Sequence, residues 1–277
     1  MKDIRIAAII SNSHVNKTRH NLDQMVRLVE KAKKKGASII CCPEMNITGY
    51  STKEDIIDAA EPVQGPITRE IVKLAESEHI VILAGIAEKD SKGRIFASHL
   101  VIKPNESPGV YRKLHISPPE RTIFTPGNKI PLFESHGVKF GIQLCYDAHF
   151  PELSTYMAIN GADIIFIPHA SPRGTPDEKF RSWMRHLPAR AYDNSLFIIA
   201  CNQTGDNEKG LSFPGVAMII GPSGEVLSKD LNGKEGILVY DLKVDAINRV
   251  RNHRMRFFLP NRRPELYLGT WTLNFPK

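Results

Sequence analysis

Three chemically pointed residues fall where strands give way to loops: Glu44 in CCPEMNITGY, Lys113 in YRKLHISPPE and Cys145 in GIQLCYDAHFPEL. Glu44 follows an apolar run and a proline, so its carboxylate is partly desolvated, holds a proton more readily and is suited to general-base work. Lys113 sits between Tyr111 and Leu114; an ammonium held there needs an anionic partner or a developing negative charge to stabilise. Cys145 ends the run Gly141–Leu144 and precedes Phe150-Pro151-Glu152, with Pro151 suited to a first helical turn. A thiol on such a strand-to-helix turn faces a crevice, the N–H of Tyr146 is free to bind an oxyanion, and the helix N-terminus favours a thiolate. Each residue alone has a plainer reading: a solvated turn glutamate, a surface lysine, a packed thiol. Together they supply the base, the cation and the nucleophile that attack on an amide or nitrile carbon requires. Glu120 follows a pair of prolines that stiffen its loop and is a second carboxylate for the same place.

Alternating strands and helices must position these groups. IRIAAII (4–10) is a strand-length apolar run, and LDQMVRLVEKAKKKG places Leu22, Met25, Val26 and Val29 at helical spacing with Lys31, Lys33, Lys34 and Lys35 near its end. Gly36 closes that helix in a left-handed conformation. SIICC is the next strand, PITREIVKLAESEH a helix with Pro66 in its first turn, and IVILAGIAE a strand. KGASIICCPEM (35–45) is echoed by NGADIIFIPHA (160–170): a helix end at Gly, then Ala, a β-branched run and Pro. Further strands near 195–201, 214–220, 225–228 and 236–241, with the turn GPSGE, make an α/β chain of hairpins added to a doubled helix–strand core.

The chain has 277 residues, 42% hydrophobic and 24% charged, long enough to bury a large core without disulfides or structural metal. No Ser/Gly-rich linker divides it, so residues 1–277 read as a single domain. The N-terminus reads as a strand rather than a secretory signal, and no apolar run approaches the roughly 20 residues of a membrane span. The expectation is a soluble, cytoplasmic protein. Cys41, Cys42, Cys145 and Cys201 lie in or beside apolar runs and read as reduced, mostly buried thiols. Much of the net charge of +7 lies in NRVRNHRMRFFLPNRRPE, within a C-terminal arm at about 248–277. No recognised nucleic-acid motif accompanies it, so a solvated or subunit-contacting arm is the preferred reading, and a non-catalytic scaffold or nucleic-acid-binding protein the reading from another class.

The sequence resembles the nitrilase superfamily, the carbon–nitrogen hydrolases, over nearly its whole length. CCPEMNITGY, YRKLHI, FTPGNKIPLFES, GIQLCYDAHFPEL, GADIIFIPHASP, RAYDNSLFIIACNQTG and GPSGEVL carry the likeness in the right order. The resemblance implies a four-layer α-β-β-α sandwich with internal pseudo-two-fold symmetry, a Glu44-Lys113-Cys145 triad, and Glu120 as a second structural or catalytic glutamate. It further implies homodimers or larger homo-oligomers, to whose interface Phe257, Phe258 and Leu259 could contribute, and no metal or organic cofactor. The implied substrate is a small linear amide or N-carbamoyl compound, hydrolysed through a thioester with release of ammonia; a small nitrile is the alternative.

Substrate selection is thinly written. In members that take carboxylate-bearing substrates an arginine often stands three or four residues beyond the cysteine; here Ala148 and His149 hold those places. Arg173 is a substitute that could grip a carboxylate. Tyr50 and Tyr146 are candidate pocket walls. His169 occupies the place of Glu44 in the internal echo, and Trp183 is a candidate for the pocket rim or a subunit contact.

Overall fold

A computed structural model describes residues 1–266; the remainder of the expected C-terminal arm, 267–277, lies outside the described residues. The first half of the chain runs β1 (Ile4–Ile10), α1 (Thr18–Lys34), β2 (Ile39–Cys41), α2 (Pro66–Glu78), β3 (Val81–Lys89), β4 (Ile95–Ile102) and β5 (Gly109–Arg112). The second runs β6 (Phe133–Ser135), β7 (Val138–Ile142), α3 (Pro151–Ile159), β8 (Ile164–His169), α4 (Pro176–Trp183), α5 (Leu187–Asn194) and β9 (Phe197–Asn202). It continues through β10 (Thr204–Asp206), β11 (Ser212–Pro214), β12 (Ala217–Ile220), β13 (Val226–Asp230), β14 (Gly236–Leu242) and α6 (Val244–Arg251).

Two six-stranded sheets result, ordered β14-β1-β2-β3-β4-β5 and β13-β12-β9-β8-β7-β6. Read from β6, the second sheet repeats the first strand for strand: one antiparallel pair, two parallel pairs, two antiparallel pairs. This is the expected pseudo-two-fold, and the sequence echo marks its matching helix–strand joints. Gly36 (φ +82°) and Gly161 (φ +92°) both adopt the left-handed conformation. Ala37 N–H then donates to Ala32 O at 3.2 Å, and Ala162 N–H to Met157 O at 3.0 Å, the helix-closing bond that delivers the chain to β2 and β8.

The sheets pack face to face. Along β1, Ile6, Ala8 and Ile10 turn to the core between the sheets, whereas Ala7 and Ile9 turn outward to the cluster shared with Leu22, Met25 and Val29 of α1 and Ile71 of α2. That two-sided burial is why the run reads as continuous hydrophobics rather than an alternating strand. On the opposite side Leu153 and Met157 of α3 and Leu187 and Ala191 of α5 join the core beneath the second sheet, completing the α-β-β-α sandwich. Cys41 and Cys201 meet between the sheets with sulfurs 3.9 Å apart, and all four cysteines are free thiols, three of them buried.

The last helix docks on the body. Ile247 and Val250 of α6 are buried, and Arg251 donates to Asp163 Oδ1 at 2.9 Å and Ala162 O at 3.0 Å. Val250 and Arg251 thus face the body while Asn248 and Arg249 are exposed, and a run of exposed residues follows from Asn252 to Arg256. No helix among the described residues is long and apolar enough to cross a membrane.

Candidate active site

Glu44 leaves the end of β2 through Pro43 and is fully buried. The chain then turns sharply: Met45 takes φ +52°, and β3 passes so close that a Cβ on Gly85 would stand 2.2 Å from Met45 N. Gly85 N–H donates to Asn46 Oδ1 at 2.8 Å, and Gln203 Nε2 donates to Glu44 O at 2.8 Å. The carboxylate itself accepts Ala170 N–H at 2.9 Å on Oε2 and Lys113 Nζ at 2.9 Å on Oε1. Ala170 follows His169, the pseudo-symmetric counterpart of Glu44, so the two repeated strand ends meet at this carboxylate.

Lys113, just past β5, is held in the sheet by N–H donation to Ala97 O at 2.9 Å and is 1% exposed. Its ammonium also donates to Glu120 Oε1 at 2.7 Å. The proline pair builds the 3₁₀ turn Pro118–Glu120, and Glu120 accepts further from Ser117 N–H at 2.9 Å and Tyr50 OH at 3.0 Å. One buried cation thus lies between two buried carboxylates. Burial opposes the charge on Lys113, but Glu44 and Glu120 outweigh it and raise its pKa well above the ordinary lysine value. The two carboxylates respond oppositely. Burial, joined by repulsion from Glu120, raises Glu44; for Glu120 burial is overcome by Lys113 and the Ser117 hydrogen bonds, which lower it. Glu120 carries the counter-charge, leaving Glu44 as the carboxylate with proton affinity to spare.

Cys145 sits at the predicted junction, with φ +43°, opening the 3₁₀ turn Cys145–His149 that leads into α3 at Pro151. A non-glycine residue held there stores about 1–3 kcal/mol of strain. As a residue Cys145 is only partly buried, unlike Glu44, Lys113 and Glu120. Burial, then the charge of Glu44, raises the Cys145 thiol, and Lys113 and Lys179 only partly oppose this. Tyr146 N–H opens the 3₁₀ turn, where the first donors have no partner within the turn.

The turn is locked by Asp147, a residue that sequence reasoning passed over. Its Oδ2 accepts Leu144 N–H at 3.0 Å and Tyr111 OH at 2.8 Å. Its Oδ1 accepts His115 N–H at 2.8 Å and lies 2.7 Å from His115 Nδ1. Tyr111 and His115 flank Lys113, so one buried carboxylate ties the lysine segment to the cysteine turn. The only signal was an acid two places beyond the cysteine, in LCYDAH.

Of the other candidates, Tyr50 is buried and bonded to Glu120, with its ring edge-on to Phe213 at 6.3 Å. Tyr146, partly exposed, leans on His149 and Phe150, both at 5.6 Å between ring centres. His169 is buried against Trp183 at 4.4 Å and its Nδ1 lies 2.7 Å from Ile167 O; burial, with its basic neighbours, lowers its pKa well below the ordinary value. Trp183 is thereby an inner wall, only 2% exposed. Arg173 stands exposed on the loop after β8, at φ +69°; the cation that acts on Cys145 from that region is Lys179, on α4. Among the described residues no group of at least three His, Cys, Asp or Glu could hold a metal.

Comparison with known proteins identifies the family. The chain is 33% identical over 268 residues to a "Probable nitrilase" of Schizosaccharomyces pombe, covering 95% of this chain and 96% of the relative. It is 30% identical over 274 residues to N-carbamoylputrescine amidase of Arabidopsis thaliana, covering 92% and 91%. A solved structure of an amidase mutant from Nesterenkonia sp. AN1, showing Michael addition of acrylamide at its active site cysteine, superposes with TM-score 0.82 at 24% identity, covering 95% and 98%. The profile of the carbon-nitrogen hydrolase family spans residues 5–252, and the chain belongs to that family.

Proposed function

We propose that the protein hydrolyses a small linear amide or N-carbamoyl compound, with Cys145 as nucleophile, Glu44 as base and acid, and Lys113 as the oxyanion-binding cation. The observation that carries this reading is the buried Lys113 ammonium held between Glu44 and Glu120 beside a thiol on a left-handed turn. Glu44 takes the thiol proton as sulfur attacks the carbonyl carbon. Lys113 Nζ and Tyr146 N–H receive the oxyanion of the tetrahedral adduct. The C–N bond breaks, Glu44 returns the proton to the leaving nitrogen, and a thioester remains. Glu44 then draws a proton from water as the hydroxyl adds to the thioester carbon; collapse releases the acid and restores the thiol. Glu120 holds Lys113 in place throughout. The fixed turn and fixed donors mean little rearrangement accompanies charge development.

The names of the relatives support amide and carbamoyl substrates, and the probable nitrilase keeps nitrile hydrolysis as the second reading. Ammonia release across matched amides, carbamoyl compounds and nitriles separates the two. Cys145→Ala should lower turnover of the preferred substrate by at least about a thousandfold, within the range of losses on removing a nucleophile, while far-UV circular dichroism stays unchanged. Wild-type-like hydrolysis by that variant would sink the mechanism.

Two further parts of the proposal concern the setting. The unpaired cysteines support a reducing, cytoplasmic location. Exposed Tyr156, Ile159 and Tyr192 on α3 and α5 support assembly with a second copy through the outer helical layer of the second half.

A further inference from the structure

Two side-chain amides of the second half hold the two ends of the Glu44 segment. Gln203, just past β9, donates from Nε2 to Glu44 O at 2.8 Å, and Asn207, just past β10, donates from Nδ2 to Tyr50 O at 2.9 Å. Both amide residues are fully buried. The Tyr50 carbonyl takes no other hydrogen bond among the described residues. A carbonyl left unpaired in a buried residue is costly, so this donor fixes where the Tyr50 backbone sits. The same hairpin meets the ring, since Phe213 of β11 stands edge-on to it.

Tyr50 in turn reaches the charged groups. Its OH and Lys113 Nζ donate to the same oxygen, Glu120 Oε1, at 3.0 and 2.7 Å, and Lys113 Nζ continues to Glu44 Oε1 at 2.9 Å. From Asn207 to Glu44 each link is a hydrogen bond or the covalent frame of a single side chain. Asn207 also has a local task. Its Oδ1 accepts Lys209 N–H at 2.9 Å and Leu211 N–H at 3.0 Å, closing a hairpin tip in which Glu208 takes φ +62°. The two ends of the carboxamide are therefore separable: the oxygen shapes the tip, and the nitrogen is left for Tyr50.

We propose that Asn207 is a positioning residue for the reaction: by holding the Tyr50 backbone it sets the Tyr50 hydroxyl on Glu120, and so the place of the Lys113 ammonium that receives the oxyanion. The inference rests on the amidase reading and extends its machinery to a hairpin that bears none of the reacting groups. Displacing the hydroxyl leaves Glu120 one donor short. Glu120 and Lys113 then relax together, and the loss falls on the transition state, where the ammonium must already be in place.

The test is a double-mutant cycle between Asn207→Asp and Tyr50→Phe, read as kcat and KM on the preferred amide. Asn207→Asp keeps an oxygen acceptor for Lys209 and Leu211 but sets another oxygen against Tyr50 O. It should lower kcat about tenfold, the scale of the Tyr50 hydrogen bond to a charged carboxylate, with KM little changed. Tyr50→Phe should lower kcat by a similar factor, and adding Asn207→Asp to it should cost nothing more. Equal losses in the two backgrounds mark a merely structural tie and overturn the inference, as does a single Asn207 variant with wild-type kcat or with a loss confined to KM. Where far-UV circular dichroism shows that Asn207→Asp does not fold, Asn207→Ser, neutral and too short to reach Tyr50 O, takes its place in the cycle under the same readings. If no amide releases ammonia, the amidase reading fails on its own. The rate of Cys145 alkylation by iodoacetamide, followed by mass spectrometry, then carries the cycle: slowing by Asn207→Asp that vanishes in the Tyr50→Phe background supports the inference, and no slowing, or equal slowing in both, overturns it.

Discussion

Two carboxylates share one ammonium in the site, and their inequality sets the acid–base behaviour. Glu44 is raised by burial and by Glu120, whereas Glu120 is lowered by Lys113 despite its burial. On the proposed mechanism attack requires Glu44 unprotonated, so activity should fall as pH drops through its pKa, with that limb above the ordinary glutamate range. Lys113, raised by its partners, stays charged through neutral and moderately alkaline pH. Glu120→Gln removes the negative neighbour that pushes Glu44 upward and leaves Lys113 to stabilise the Glu44 carboxylate alone. The acid limb of kcat/KM should therefore move to lower pH, with a smaller plateau because a less basic Glu44 takes the thiol proton less readily. A pH–rate profile that keeps its acid limb in place would show that Glu120 does not tune the base.

At the scale of elements, the site depends on how loops are fastened together more than on any one strand. Asp147 joins the segment after β5 to the turn after β7 through Tyr111, His115 and Leu144. Asp147→Ala leaves buried donors without acceptors, at about 1–3 kcal/mol each, so the denaturant midpoint should fall clearly. The loosened turn should also lower kcat more than it raises KM, since the oxyanion donor at Tyr146 shifts relative to Lys113. A variant as stable and active as wild type would remove Asp147 from this role. Sequence patterns located β1, β2, β3, α1 and α2 because each is bounded by local punctuation: an apolar run, Pro66 or Gly36. They also identified Cys145 as a turn residue, since Pro151 marks where α3 must start. The fastening by Asp147 was not legible, because Tyr111 and His115 are distant in the chain and no local rule pairs them. The place of Arg173 was not legible either: it stands exposed, while Lys179 on the next helix bonds to Ser171 and Pro172 of the preceding loop.

Over the whole molecule, the pseudo-two-fold is legible in one echo, yet its use is asymmetric. The register pairs Ile6 with Ile39 and Phe140 with Ile164, which equates Cys145 with Ser11 and Glu44 with His169. On the proposed mechanism the first half supplies Glu44 and Lys113 and the second supplies Cys145, each just beyond the end of a strand. The pairing of β14 with β1 was beyond sequence reasoning, because it returns the end of the chain to the first sheet; α6 then pins the second half through Arg251 and Asp163. The asymmetry extends to the outer layers. On α3, Tyr156 is 48% and Ile159 59% exposed, and on α5 Tyr192 is 43% exposed with its ring 5.4 Å from that of Phe258. An apolar face on one helical layer suits a self-complementary contact with a second copy about a two-fold axis. Sedimentation equilibrium at micromolar concentration should then give a particle of twice the chain mass of 31.1 kDa. Ile159→Asp combined with Tyr192→Asp should shift it toward monomer, because a desolvated, unpaired carboxylate is strongly unfavourable at a buried contact. A wild-type protein that sediments as a monomer, or a double variant that remains fully dimeric, would show that this face is not the contact.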